Sequence, residues 1–196
     1  MHGLAPILFL KPLLNLQISL NMKYIALLKG INVGGHKKVP MAELRAVLTK
    51  AGFSDVSTYI QSGNVFFQSS KNNIEDLEKD LEKAIVGHFG FEVLVMVKTH
   101  EELQRIFENC PFDEDEKVAS YFMLLHQKPT SEAIALASEK VYENEYYQIT
   151  EDCLYYYSPK GMGKSKFNAN FFEKKLQTFI TARNYKTMLK LLSLSA

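Results

Sequence analysis

A loop rich in glycine and lysine follows the first strongly apolar segment, and its residue types suit anion binding. It runs from Lys29 to Lys38 and contains Gly30, Gly34 and Gly35. Glycine lets the backbone turn where a side chain would clash, and it leaves amide groups free to face a ligand. The lysines add positive charge, and a helix predicted to open near residue 40 directs its positive dipole end at the same region. The alternative interpretation is a plain strand-to-helix connection.

A second glycine-rich segment, Ser158-Pro-Lys-Gly-Met-Gly-Lys-Ser165, ends like the phosphate-binding loop of an NTPase. That loop requires GxxxxGK[ST], but Ser158 stands in place of its first glycine. No good strand-ending aspartate is present to hold magnesium, so the sequence argues against an NTPase. A weaker prediction remains, in which Lys164, Ser165 and Lys166 bind a phosphate or carboxylate at a helix start.

The segment Thr181-Ala-Arg-Asn-Tyr185 is interpreted as another helix start. There Arg183 would hold two oxygens of an anion with its planar guanidinium, while Asn184 or Thr181 caps the helix. We therefore expect Arg183 to contribute more to anion binding than Lys37 or Lys38. We also expect the basic loops of both halves to converge on one cleft. The predicted ligand-binding residues are Lys29, Gly30, Asn32, Gly34, Gly35, Lys37, Gln61, Ser62, Asn64, Lys164, Ser165, Lys166, Arg183 and Asn184.

No catalytic set is recognisable in the sequence. Ser/His/Asp and Cys/His arrangements and an HExxH motif are missing, and His36 is the one histidine whose surroundings suggest more than packing. Cys110 and Cys153 lie far apart without metal-ligand spacing. This predicts no metal site and a reduced, cytoplasmic chain. The sequence leaves open whether the chain is an enzyme, which cofactor it takes, and its oligomeric state.

Binding of single-stranded RNA is the alternative function, and a structural or interaction role is a third. In RNA-binding plaits, aromatic side chains on the two central strands stack on bases. Tyr24, Phe66-Phe67 and Tyr155–Tyr157 occupy comparable strands, but the aromatic–glycine signature of the third strand is absent. Strand aromatics more often belong to the core.

Composition supports a globular protein without a nucleic-acid coat or a membrane span. Hydrophobic residues make up 46% and charged residues 23%, and the formal net charge is +1. Acidic residues dominate from Glu101 to Asp152, and basic residues dominate from Lys160 onward. Such asymmetry can be an ordinary pair of solvated faces or an anion-binding surface.

The elements that would position these residues follow the order β-α-β-β-α-β, twice. In the first half the pattern predicts strands at 24–28, 56–60, 65–68 and 91–97, with helices at 40–51 and 74–89. In the second half it predicts strands at 118–126, 145–150, 153–157 and 178–180, with helices at 131–138, 167–176 and 184–194. A connecting helix is predicted at 101–109. The fold class is α+β, with two tandem ferredoxin-like plaits, a helical linker and a C-terminal helix.

The predicted domain boundaries follow from these elements. Residues 22–98 form the first ferredoxin-like domain, 99–116 a helical acidic linker, and 117–196 the second domain with the C-terminal helix. The apolar stretches before Met22 are interrupted by Pro6, Lys11 and Pro12. We interpret residues 1–21 as an extension upstream of a natural start at Met22.

Several long motifs resemble one known family. They are Tyr24–Gly35, Val39–Arg45, Thr58–Val65, Gly161–Lys166 and Thr181–Tyr185. In this order they resemble an uncharacterised bacterial family, domain of unknown function 1697 (DUF1697), from about Met22 to the end of the chain. The resemblance implies two ferredoxin-like plaits but no established activity, substrate or catalytic residue. Where relatives often carry Arg, Arg and Trp, this chain has Lys29, Lys164 and Tyr185, which keeps the charge but not bidentate geometry at the lysines.

Overall fold

Two four-stranded antiparallel sheets with the same strand order form the framework of the chain. The computed structural model describes residues 21–196. The predicted extension therefore lies outside the described residues, apart from Asn21. The first sheet has the order β2-β3-β1-β4 and the second the order β6-β7-β5-β8.

Residues 22–98, the described first half, contain four strands and two helices. They are β1 (Met22–Leu28), α1 (Met41–Lys50), β2 (Ser54–Tyr59), β3 (Asn64–Ser69), α2 (Ile74–Phe89) and β4 (Val95–Lys98). Helix α2 begins with the Asn73 side chain accepting a bond from the Asp76 amide, and it ends at Gly90 in the left-handed conformation. All six elements were predicted, although the last strand is shorter than residues 91–97.

The remainder of the described chain contains five α-helices and four strands. They are α3 (His100–Glu108), α4 (Glu114–Val118), β5 (Tyr121–Leu125), α5 (Ser131–Ser138), β6 (Tyr146–Ile149), β7 (Cys153–Tyr157), α6 (Ala169–Leu176), β8 (Ile180–Asn184) and α7 (Tyr185–Ser195). A single 3-10 turn, Met162–Lys164, precedes α6.

Two strands predicted for the second half are present but have different bounds. The strand predicted from Val118 begins only at Tyr121, because the acidic segment before it forms α4, which is capped by Asp113. The strand predicted at 178–180 instead runs from Ile180 to Asn184 and pairs along its length with β5. Pairing with an apolar neighbour outweighs the polar composition of β8.

Three apolar layers hold these elements together. Alternate residues of β1 face opposite sides: Tyr24, Ala26 and Leu28 pack against α1 and α2, whereas Ile25 and Leu27 face the second half. The middle layer joins both sheets through residues such as Phe66, Phe122 and Tyr155, together with Leu103 of α3 and Met188 of α7. The third layer lies under α5 and α6. Because the middle layer contains residues from both halves, the two sheets are fixed by a shared core.

No helix in residues 21–196 is long and apolar enough to cross a membrane.

Candidate functional site

Asn32 fastens the glycine–lysine loop to the turn between β2 and β3. Its Oδ1 accepts from the Val39 amide at 2.8 Å, and its Nδ2 donates to the carbonyls of Val39 at 3.0 Å and Gln61 at 2.8 Å. Asn32 adopts a left-handed φ of 55°, which asparagine tolerates better than most residues. The loop Gly30–Lys38 and the turn Gln61–Asn64 are therefore one connected surface.

Gly63 permits close contact between this turn and β1. The Gly63 carbonyl accepts from the Leu28 amide at 2.8 Å, and its φ is 76°. A Cβ at this position would lie 2.7 Å from the Leu28 Cβ. Only glycine fits, both because of the left-handed backbone and because of the missing space.

Arg183 joins the second half to the same turn. Its Nε donates to Asn64 Oδ1 at 2.6 Å, and its Nη2 reaches the carbonyls of Ser62 and Gly63 at 3.4 Å each. Its Nη1 donates to Thr181 Oγ1 at 2.9 Å and to the Ala182 carbonyl at 2.8 Å. The guanidinium is thus surrounded by protein acceptors.

The Arg183 side chain is buried, and none of its hydrogen-bond partners in the described chain is acidic. Burial lowers the pKa of its guanidinium to about 10, because the charged form loses solvation. The group stays protonated at neutral pH. It therefore places a positive charge, unpaired with any carboxylate of residues 21–196, next to the carbonyls of Ser62 and Gly63.

The segment Thr181–Tyr185 leads into a helix capped by Asn184, as predicted, but Arg183 itself lies in the strand before that helix. Thr181 and Arg183 lie in β8, and only Asn184 caps α7, accepting from the Thr187 amide at 2.9 Å. Because the donors of Arg183 are directed at protein acceptors, they do not form an open fork for an anion at a helix terminus.

Two of the loop lysines already have partners. The Lys29 ammonium forms an ion pair with Glu173 of α6 and lies 5.8 Å from the centre of the Phe179 ring. The Lys37 ammonium donates to the Glu92 carbonyl at 2.7 Å. The residues of the loop that remain exposed include Gly34, Gly35, His36 and Lys38.

Lys164, Ser165 and Lys166 are not brought together with this surface. Every hydrogen bond that these residues make within residues 21–196 is to the second half, including the bond from the Lys166 amide to Glu145 Oε1 at 3.0 Å. Hydrogen bonds therefore join the first loop, the turn Gln61–Asn64 and Arg183, and none within residues 21–196 connects the Gly161–Lys166 segment to them.

A cleft between the halves does exist, with a volume of about 490 Å³. Its lining includes four glutamates and two lysines, and it contains none of the predicted ligand-binding residues. The residues are Ile74, Glu75, Glu78, Lys79, Glu82, Leu94, Val97, Lys98, Glu102, His126, Gln127 and Phe179. The cleft is thus not lined by the predicted basic residues, but the first loop borders it, because the Lys29 ammonium lies 5.8 Å from the centre of the Phe179 ring and the Lys29 amide donates to the Leu94 carbonyl.

Glu78 is the central polar residue of this cleft and was missed by sequence reasoning. Its Oε1 accepts from the Val97 amide at 2.8 Å, and its Oε2 lies 2.8 Å from His126 Nε2. The His126 ring stacks on Phe179, with ring centres 4.3 Å apart. The sequence did contain one indication of an acidic cleft: Glu75, Glu78 and Glu82 are spaced so that all three lie on one face of α2.

The aromatic side chains considered for RNA binding are mostly buried. Phe66 is 9% exposed and Tyr156 is fully buried. Phe66 and Tyr155 belong to the core between the halves, and Tyr156 packs under α6. Their faces are not available to stack on bases in this arrangement.

The described residues contain no cluster of three or more His, Cys, Asp or Glu side chains that could hold a metal ion. Cys110 and Cys153 are both free thiols. Burial raises the pKa of both thiols, that of Cys153 well above its ordinary value.

Comparison with known families identifies the chain. The model of the family described as "Protein of unknown function (DUF1697)" matches residues 22–155. The chain belongs to this family. Among proteins with curated descriptions, none matches the chain.

A solved structure is similar over most of this DUF1697 protein. The conserved bacterial protein SP0830 from Streptococcus pneumoniae has 25% sequence identity to it and a TM-score of 0.68. The similarity covers 90% of this chain and 100% of SP0830. It supports the mixed α/β architecture.

Proposed function

We propose that this protein binds a small anion bearing phosphate or carboxylate, nucleotides included, on the surface formed by Gly30–Lys38 and Gln61–Asn64. We call this surface the two-loop surface. The scaffold that we propose is two ferredoxin-like plaits, residues 22–98 and 117–196, joined by a helical acidic linker at 99–116. The strand orders of both sheets support this assignment.

The observation that carries the proposal is the buried charge of Arg183. A buried cation is costly unless an opposite charge or good hydrogen bonds compensate it. Here neutral acceptors satisfy the hydrogen bonds, but no acidic side chain within residues 21–196 pairs with the guanidinium. The resulting positive potential extends through the Ser62–Gly63 turn, because the low-dielectric interior screens it weakly. An anion outside the turn gains from this potential.

The exposed residues of the two-loop surface are also suited to binding an anion. Gly34, Gly35 and Lys38 are exposed, as are Gln61 and Ser62. The backbone at Gly34 and Gly35 is left-handed, and successive amides in such turns form concave anion sites. In this proposal Arg183 acts by its field and by positioning the turn, while exposed amides and Lys38 contact the ligand.

The Gly161–Lys166 segment is not needed for this proposed site. The proposal includes no reaction, and it names no cofactor. The two free thiols support a cytoplasmic location. A bacterial origin stays a prediction from the family resemblance.

A thermal-shift titration tests the proposal. Inorganic phosphate, pyrophosphate, nucleotides and dicarboxylates are titrated at constant ionic strength, and a specific ligand raises Tm saturably by mass action. Lys38→Ala is expected to weaken the effect, and the matched control Lys83→Ala, an exposed lysine on α2, is expected to retain it. A series in which no anion raises Tm, or in which both variants lose the effect equally, would contradict the two-loop surface as the site.

A further inference from the structure

The open end of the β6–β7 ladder holds two buried oxygens that have no hydrogen-bond partner within the described part of the chain. The strands pair antiparallel with Tyr147 opposite Tyr156. Two residues outward in this register, Glu145 stands opposite Ser158. Because strand side chains alternate between faces, both fall on the face that carries Tyr147 and Tyr156.

The two oxygens are Ser158 Oγ and Glu145 Oε2, and neither has a partner among the described residues. Ser158 is only 4% exposed. The other Glu145 oxygen accepts from the Lys166 amide at 3.0 Å, and no Lys, Arg or His side chain in residues 21–196 forms an ion pair with Glu145. Buried polar atoms are nearly always partnered, so this pair requires an explanation.

The hydroxyls of Tyr156 and Ser165 lie close to these two oxygens. Tyr156 Oη is hydrogen-bonded to Ser165 Oγ, which also accepts from the Phe167 amide at 2.8 Å. Burial raises the pKa of Tyr156 to about 12. Its hydroxyl lies near enough to Glu145 and Ser158 for side-chain hydrogen bonding to affect this pKa, but no hydrogen bond of ordinary geometry within residues 21–196 reaches Glu145 Oε2 or Ser158 Oγ. The Tyr156 hydroxyl therefore faces the same space and stays protonated at neutral pH.

We propose that a monovalent metal cation, Na⁺ or K⁺, binds between Glu145 and Ser158, with the hydroxyls of Tyr156 and Ser165 as neighbouring oxygen donors. The donor set consists of oxygens alone, which suits hard cations. A single carboxylate matches a single positive charge. A water molecule could bond to both oxygens but would leave the Glu145 charge uncompensated.

Such a cation would fix the Gly-Met-Gly-Lys-Ser segment, residues 161–165. Ser165 closes this segment and contacts the Tyr156 hydroxyl, so the cation would connect the strand ends to the loop above them. The proposed site lies in the second half and shares no residue with the two-loop surface. Its failure would leave the proposed anion binding unaffected.

Thermal unfolding of the full chain in different chloride salts tests the cation. Equal ionic strengths of NaCl, KCl and choline chloride are compared. Tm is expected to be about 2–4 °C higher in the preferred metal salt when its concentration is about four times the dissociation constant. Glu145→Gln and Ser158→Ala should abolish the difference between salts. Glu143→Gln, an exposed neighbour, should retain it.

A crystal structure of the wild-type chain grown with Tl⁺ or Rb⁺ provides a second test that needs no variant. An anomalous peak between Glu145 and Ser158 is expected. A water molecule there without anomalous signal, equal Tm in all three salts, or a salt dependence that survives Glu145→Gln would each overturn the proposal.

Discussion

At the scale of single residues, Arg183 explains how the two halves share one loop surface. Sequence reasoning selected Arg183 because of its type and its neighbours, and it is indeed central to the geometry. We expected Arg183 to bind an anion directly. Instead, its guanidinium donates to Asn64 and to the carbonyls of the Gln61–Asn64 turn from the protein interior. Local sequence could not predict the acceptors of Arg183, because they lie about 120 residues away along the chain. It also could not predict that Arg183 lies in a strand.

Arg183→Lys is expected to lower the free energy of unfolding by about 1–3 kcal/mol, because lysine leaves buried acceptors unpartnered. The matched control is Arg45→Lys, where the native side chain donates to Thr58 Oγ1 alone and where a smaller loss is expected. Urea unfolding measures both. Equal losses in the two variants would show that the five contacts of Arg183 contribute little.

Gly63→Ala tests the close approach between the turn and β1. Gly30→Ala serves as its control, because Gly30 has a similar φ of 68° but nothing within 4 Å of its added Cβ. Both variants carry the cost of a left-handed alanine, about 1 kcal/mol. Gly63→Ala is expected to cost about 1–3 kcal/mol more because of the clash with Leu28. Similar unfolding midpoints for the two variants would refute the steric argument.

At the scale of elements, α2 covers the outer edge of β4. Glu78 and Glu82 of α2 accept the amides of Val97 and Val95 at 2.8 and 3.0 Å. An edge strand otherwise presents unpaired amides that could pair with another chain. The amphipathic pattern predicted α2 itself, but it could not reveal that polar residues on the helix would be used against the sheet.

Glu78→Ala is expected to destabilise the chain by about 1–3 kcal/mol, because the buried Val97 amide and His126 lose their acceptor. Glu75→Ala on the same helix is the control, since the Glu75 side chain is 80% exposed. Hydrogen exchange should show faster exchange at Val97 in Glu78→Ala only. Unchanged exchange at this amide would contradict the edge-capping role.

Strand β8 is an element whose bounds could not be predicted from its own sequence. Most helices and the two hairpins follow from periodicity and turn residues, as at Gln61–Asn64. In contrast, Thr181, Arg183 and Asn184 are polar and resemble a loop before a helix. They form a strand because β5 supplies a partner along its whole length. Such pairing is decided by tertiary structure.

At the scale of the whole molecule, the orientation of the halves leaves the basic loop at the border of the inter-half cleft and not in its lining. The shared core between the sheets fixes this orientation. Sequence reasoning predicted the element order of both halves, but it expected basic loops around the cleft. The cleft is instead lined by the glutamates of α2 and by His126. The packing of one sheet on another depends on many side chains at once, so motif spacing cannot predict it.

NMR titration of the ¹⁵N-labelled chain with pyrophosphate is the sharpest test of anion binding on the two-loop surface. We expect saturable shifts of the amide signals of Gly34, Gly35, Lys38 and Ser62, with smaller changes around the Glu78 cleft. Shifts confined to the cleft or to the Gly161–Lys166 segment, or no saturable shift with pyrophosphate, would contradict it.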